Sequence, residues 1–107
     1  MSAEKIRTLN DAFRTTMTGG RVLLTAGVNG LPSDVRGMVI RRVATFSDFN
    51  PDNDPNGEHD FGNFTLAGHK FFWKIDYYDA KMEFGSDYPA DPSKTTRVLT
   101  IMFASEY

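Results

Sequence analysis

The chain contains no cysteine in its 107 residues. That absence excludes disulfides, thiolate zinc sites, iron–sulfur clusters and a cysteine nucleophile. Long apolar runs are missing too: the longest, IMFA at 101–104, has four residues. A bilayer span needs about 20. Lys5 and Arg7 are not followed by an apolar stretch, so there is no secretory signal pattern, and a cytoplasmic location is expected. The phosphate-cradling patterns G-x-x-x-x-G-K-[ST] and G-x-G-x-x-G do not occur, nor does the nucleophile elbow G-x-S-x-G. No internal repeat or low-complexity tract is present.

What is there is an ordinary globular composition, with 40% hydrophobic, 13% aromatic and 24% charged residues. Such a chain buries enough apolar surface to fold. Its length predicts one domain over 1–107. Net charge is −2, but it is unevenly spread. Residues 1–47 hold seven basic and three acidic side chains, a net of +4, whereas 48–107 hold five and eleven, a net of −6. A net negative charge gives no general attraction to nucleic acid or anionic lipid.

Ile6, Leu9, Phe13 and Met17 recur at spacings of three and four, which predicts a helix over about 3–17 capped by Ser2. Arg7, Asp11 and Arg14 fall on another face at ion-pairing distance. Gly19-Gly20 ends this helix. Residues 21–26 (RVLLTA) read as a short strand and 27–30 as a turn. Pro32 then opens a second helix to about Thr45, with Val35, Met38, Val39, Val43 and Phe46 facing inward.

Beyond the 48–60 loop (DFNPDNDPNGEHD) the period changes to two. A hairpin is predicted from 61–66 and 69–78, with Phe71, Trp73, Ile75 and Tyr77 on one side. Phe72, Lys74, Asp76 and Tyr78 take the other side. A short third strand is expected at 81–85. The last strand, 95–105, carries Val98 and Met102 on one face and Leu99, Ile101 and Phe103 on the other, as a covered central strand would. Together these predict an α+β fold, two N-terminal helices on one face of an antiparallel sheet of about four to five strands.

Within the loop, Asp52, Asp54, Asn56 and Gly57 fit D-x-[DN]-x-[DN]-G, the start of a calcium loop, and Asp60 falls at its ninth position. The twelfth position is Asn63, not glutamate, and no helix enters the loop. A polar connector closed by Asp and Asn side chains is the competing reading. Glu58, His59 and Asp60, with Asp76, would be the ligands and acid–base groups of a metal-dependent hydrolase. No complete catalytic constellation is present, so no catalytic residue is assigned and no cofactor is required; calcium or another divalent cation at Asp52, Asp54, Asn56 and Asp60 is the one cofactor candidate. Arg36, Arg41 and Arg42 on the second helix are the candidate nucleic-acid contacts. The acidic second half offers those arginines partners within the chain, which ranks nucleic acid below protein as a partner.

The segments LNDAFR (9–14), TGGRVLLTAGV (18–28), FNPDNDPNGEHDFG (49–62), FFWKIDYYD (71–79) and TTRVLTIMFASEY (95–107) resemble a family of small bacterial proteins classed as a domain of unknown function. That family is found mainly in Alphaproteobacteria, often beside plasmid and integrative-element genes. The resemblance implies a complete single-domain cytoplasmic protein with a mobile-element accessory role, such as modulation of host defence. It transfers no catalytic residues.

The first functional expectation is therefore a non-enzymatic protein-binding or regulatory module. Asp52, Asp54, Asn56, Glu58, His59 and Asp60 form its contact region. A cation-binding or hydrolytic site on the same loop is the second, and nucleic-acid binding the third. An outer strand leaves an edge on which a second copy could pair.

Overall fold

A computed structural model describes residues 3–107. Helix α1 (Ala3–Thr16) is followed by strand β1 (Arg21–Leu24), a one-turn helix α2 (Ala26–Asn29) and helix α3 (Ser33–Ala44). Strands β2 (Phe61–Leu66), β3 (His69–Tyr78) and β4 (Thr96–Phe103) complete the elements, with a final 3₁₀ turn at Ala104–Glu106. The expected Ser2 cap lies outside the described residues.

The sheet order is β1-β4-β3-β2, so β4 is central, as its two apolar faces require. β2, β3 and β4 are antiparallel, whereas β1 runs parallel to β4. The fold is the expected α+β one, and the sheet is mixed because β1 joins β4 from the far end of the chain, where no hairpin dictates direction. Alternation then sorts the side chains. Phe71, Trp73, Ile75 and Tyr77 share one face with Leu99, Ile101 and Phe103, and the register sets them side by side. The helices cover this face. Trp73, Phe71, Leu99, Ile101, Val39 and Val43 are fully buried there, and Val28 of α2 joins the same core.

Three local expectations are corrected. Residues 27–30 are not a simple turn: Ala26–Asn29 form a helical turn, and its buried Val28 supplies the packing that holds it. Residues 81–85 do not form a strand; a single bridge, Tyr78 with Gly85, is all that pairs. Met38 does not face inward but is 53% exposed. The inward arc of α3 passes through Val39 and Val43, one turn apart, and Met38 falls at its rim.

Among the described residues no helix is long and apolar enough to cross a membrane.

Candidate functional site

The polar centre of the molecule starts on α1. Ile6, Asn10, Phe13 and Arg14 are its buried positions. Asn10 and Arg14 are one turn apart, so both enter the space between the helices and the sheet. Each organises a separate hydrogen-bonded chain.

In the first chain, Arg97 of β4 donates from Nε to Asn10 Oδ1 at 2.7 Å and from Nη2 to the carbonyl of Pro89. Asn10 Nδ2 donates to the Tyr77 hydroxyl at 2.8 Å and to the Glu58 carbonyl at 3.0 Å. The Tyr77 hydroxyl in turn donates to Glu58 Oε1 at 2.9 Å. A buried cation and a carboxylate are thus joined through two neutral groups. Burial pushes the Tyr77 phenol well above its ordinary range, and the neighbouring Glu58 carboxylate adds to the effect. Burial lowers the Arg97 guanidinium from its usual value, opposed by Tyr77 and Glu58.

In the second chain, Arg14 Nη1 donates to the carbonyls of Val43, Ala44 and Phe46 at 2.8, 3.3 and 3.0 Å, at the C-terminus of α3. Its Nη2 donates to Asp11 Oδ1 at 3.1 Å. The guanidinium lies 5.5 Å from the Phe49 ring centre and 5.0 Å from that of Trp73. Arg14 therefore pairs with Asp11 as the i+3 spacing predicts, but it does so from the interior rather than from a solvated face. Asp11 continues the chain to His59 Nδ1, 2.9 Å away. On the other side of that ring, Nε2 lies 3.6 Å from Asp54 Oδ2. The imidazole stacks flat on Phe49 with centroids 3.7 Å apart.

The predicted loop residues are placed as follows. Asp54 is buried and accepts the His59 backbone N–H at 3.1 Å. Asp52 and Asn56 are exposed, and the Asp52 N–H donates to Asn50 Oδ1 at 2.9 Å. The carboxylate of Glu58 is committed to Tyr77. The Asp60 carbonyl accepts from the Ile75 N–H at 2.8 Å, which registers the loop end onto β3. Asp76 lies on the opposite sheet face and pairs with Lys74 at 2.9 Å. Among the described residues no group of three or more His, Asp or Glu side chains could hold a metal ion. Of the residues that resemble a calcium loop in sequence, Asp54 turns its oxygens to His59 instead, and the turn before it is capped by Asn50 and Asn53. A hydrolytic reading meets the same geometry: both nitrogens of His59 face carboxylates and its ring is covered.

Of the arginines of α3, Arg41 and Arg42 line one shallow cleft beside Leu66, and Arg36 is turned to the backbone before the helix. Arg36 donates to the carbonyls of Asn29 and Leu31 at 3.0 and 3.1 Å. Arg42 lies over the Phe64 ring at 4.9 Å. Arg41 is exposed.

A family model described as "Protein of unknown function (DUF3768)" matches residues 24–106. The chain belongs to the DUF3768 family. The match covers α2, α3, the loop and strands β2 to β4; Asn10, Asp11 and Arg14 precede it. The DUF3768 segment thus supplies Glu58, His59, Tyr77 and Arg97, and α1 supplies the side chains that bind them together. No curated protein and no solved structure matches the chain.

Asp60 carries a pH dependence. Burial, then Glu58, then Asp54 and Asp76 raise its carboxyl above the ordinary range, against a backbone hydrogen bond that lowers it. The folded state then binds this proton more tightly than the unfolded chain does. Stability from this group falls as pH rises from the unfolded value through the folded one, and the whole penalty is present at neutral pH. Asp60→Asn is expected to raise stability at neutral pH by roughly 0.5–1 kcal/mol, kept small because solvent still screens the group. The gain should vanish below the ordinary carboxylate range. Paired thermal melts at the two pH values check this; a gain that persists in acid would refute it.

Proposed function

We propose that this DUF3768 protein is a non-enzymatic binding module that presents the 48–60 loop, in one shape, to a protein partner. The observation that carries the reading is the anchoring of that loop. It has no regular secondary structure, yet Arg7 Nη1 holds the Gly57 carbonyl at 2.9 Å and Asn10 holds that of Glu58. Asp11 and Asp54 grip His59 from both sides, and Asn50 and Asn53 close the turn at its start. A loop fixed before contact loses little entropy on binding, which favours affinity without large area. Its exposed tip offers Asp48, Pro51, Asp52, Pro55 and Asn56.

The tip is acidic, so the partner surface that fits it is basic. Nucleic-acid-binding faces of host proteins have that character. The reading therefore extends to a cytoplasmic single-domain accessory of mobile elements that modulates host defence, in the manner of an anti-restriction or anti-CRISPR inhibitor. Support for the genomic part of this reading is the sequence resemblance. The enzymatic alternative is weaker because Asp54, Glu58 and His59, three of the four acids and bases of the loop that are not exposed, already have internal partners.

A photo-crosslinking residue at Asn56, compared with one at exposed Glu83, tests the proposal in cells. Adducts of one defined mass should form from position 56 and not from position 83. They should disappear when Asp48 and Asp52 are replaced by lysine. The same adducts from both positions, or none from 56, would count against a loop-centred contact.

A further inference from the structure

A cleft of about 400 Å³ opens between the C-terminal turns of α1, the glycine turn after it and the segment leading into β4. That volume suits a small molecule rather than a macromolecular segment. Its walls are carbon at Leu9, Ala12, Phe13 and Pro92, and the hydroxyls of Thr16, Thr18 and Thr95 beside them already bond within the chain, Thr16 to the Ala12 carbonyl and to Thr18, and Thr95 to the Tyr88 carbonyl. Among the described residues Arg97 is the one charged residue that lines it, and no acid does.

Arg97 is 3% exposed, so its charge is held almost out of water. Two of its nitrogens are committed, Nε to Asn10 and Nη2 to the Pro89 carbonyl. Nη1 makes no hydrogen bond among the described residues and is not closed off from solvent. No carboxylate lies within ion-pair distance of the guanidinium among the described residues; Glu58 is reached only through Asn10 and Tyr77. A desolvated guanidinium anchored on two sides and laid over the Tyr77 ring, with its third nitrogen unbonded among the described residues and its residue lining a cleft where no described residue is an acid, is arranged to receive an anion. We infer that the cleft binds a small organic carboxylate with an apolar body, its oxygens on Arg97 Nη1 and its carbon skeleton against Leu9, Ala12 and Phe13.

The recognition splits into two testable parts, charge and apolar fit. Phenylacetate supplies both, phenylacetamide only the apolar part, and inorganic phosphate only the charge. Amide-shift titration of the labelled protein should show saturable movement of Thr16, Thr18, Gly19 and Arg97 with phenylacetate. Affinity for phenylacetate should exceed that for either control by about tenfold or more, roughly 1.4 kcal/mol. Ala12→Phe fills the cleft from an exposed helix position and leaves the Asn10–Arg97 bond in place. It should abolish the response while the melting temperature holds. Absence of a saturable response, equal affinity for phenylacetamide or phosphate, or an undiminished response in Ala12→Phe would each overturn the inference.

Discussion

Arg14→Met is expected to destabilise the protein by about 2–3 kcal/mol, the upper part of the range for leaving buried polar groups without their partner. Methionine keeps the length of the stem and loses every donor. The carbonyls of Ala44 and Phe46, which Arg14 satisfies at the frayed end of α3, would then be left without that partner in a half-buried setting. Asp11 would lose its cation, and the face of Trp73 would lose the guanidinium 5.0 Å above it. Against a typical total of about 5–15 kcal/mol, this is a large fraction. Arg14→Lys should recover only part of the loss. An ammonium cannot lie flat between Phe49 and Trp73 while reaching both the α3 carbonyls and Asp11. Urea unfolding followed by circular dichroism measures both variants. A loss under about 1 kcal/mol for Arg14→Met would show that solvent replaces the network.

Much of this architecture is legible in the sequence because it rests on apolar periodicity. The hairpin face of Phe71, Trp73, Ile75 and Tyr77, and the two-faced β4, follow from period two alone. Buried polar residues are a different matter. Asn10 and Arg14 lie four and eight positions after Ile6, inside the inward arc of α1, but a count of apolar residues passes over them. Arg97 is likewise two residues before Leu99 and so shares its face by alternation. The signal was geometric position; the residue types argued against it, since charged groups are seldom buried unpaired. Their partners are 87 and 29 residues away, at distances no local pattern reports.

The loop shows the converse failure. Asp, Asn and Gly at alternate positions suit a cation and suit turn-capping equally well, because both uses need oxygen atoms aimed at positive charge. What separates them is where the oxygens point, and that is set by α1. With Asp11 and Asp54 on either side of His59, and Glu58 drawn to Tyr77, the side chains diverge. Residues outside the loop thus decide its chemistry. A helix that reads as an amphipathic cover in sequence is, in the fold, the part that orders the 48–60 segment.

Gly62→Ala is expected to cost about 2–3 kcal/mol, at the upper part of the range for overpacking a core. Gly62 pairs across the sheet with Trp73, and the indole lies over the backbone where a side chain would start. A Cβ at this glycine would sit 2.4 Å from Trp73 Nε1 and 2.7 Å from Cε2. Trp73 cannot step aside: it is fully buried, edge-on to Phe46 and Phe49, and faced by Arg14. Its N–H has no hydrogen-bond partner among the described residues, so close packing over the glycine holds the ring there. Trp73→Phe removes Nε1, the atom the new methyl would strike first. In that background Gly62→Ala should cost less than about 1 kcal/mol, giving a coupling of at least 1 kcal/mol in a double-mutant cycle. Additive losses would mean that the strand backbone, rather than the indole, resists the methyl group.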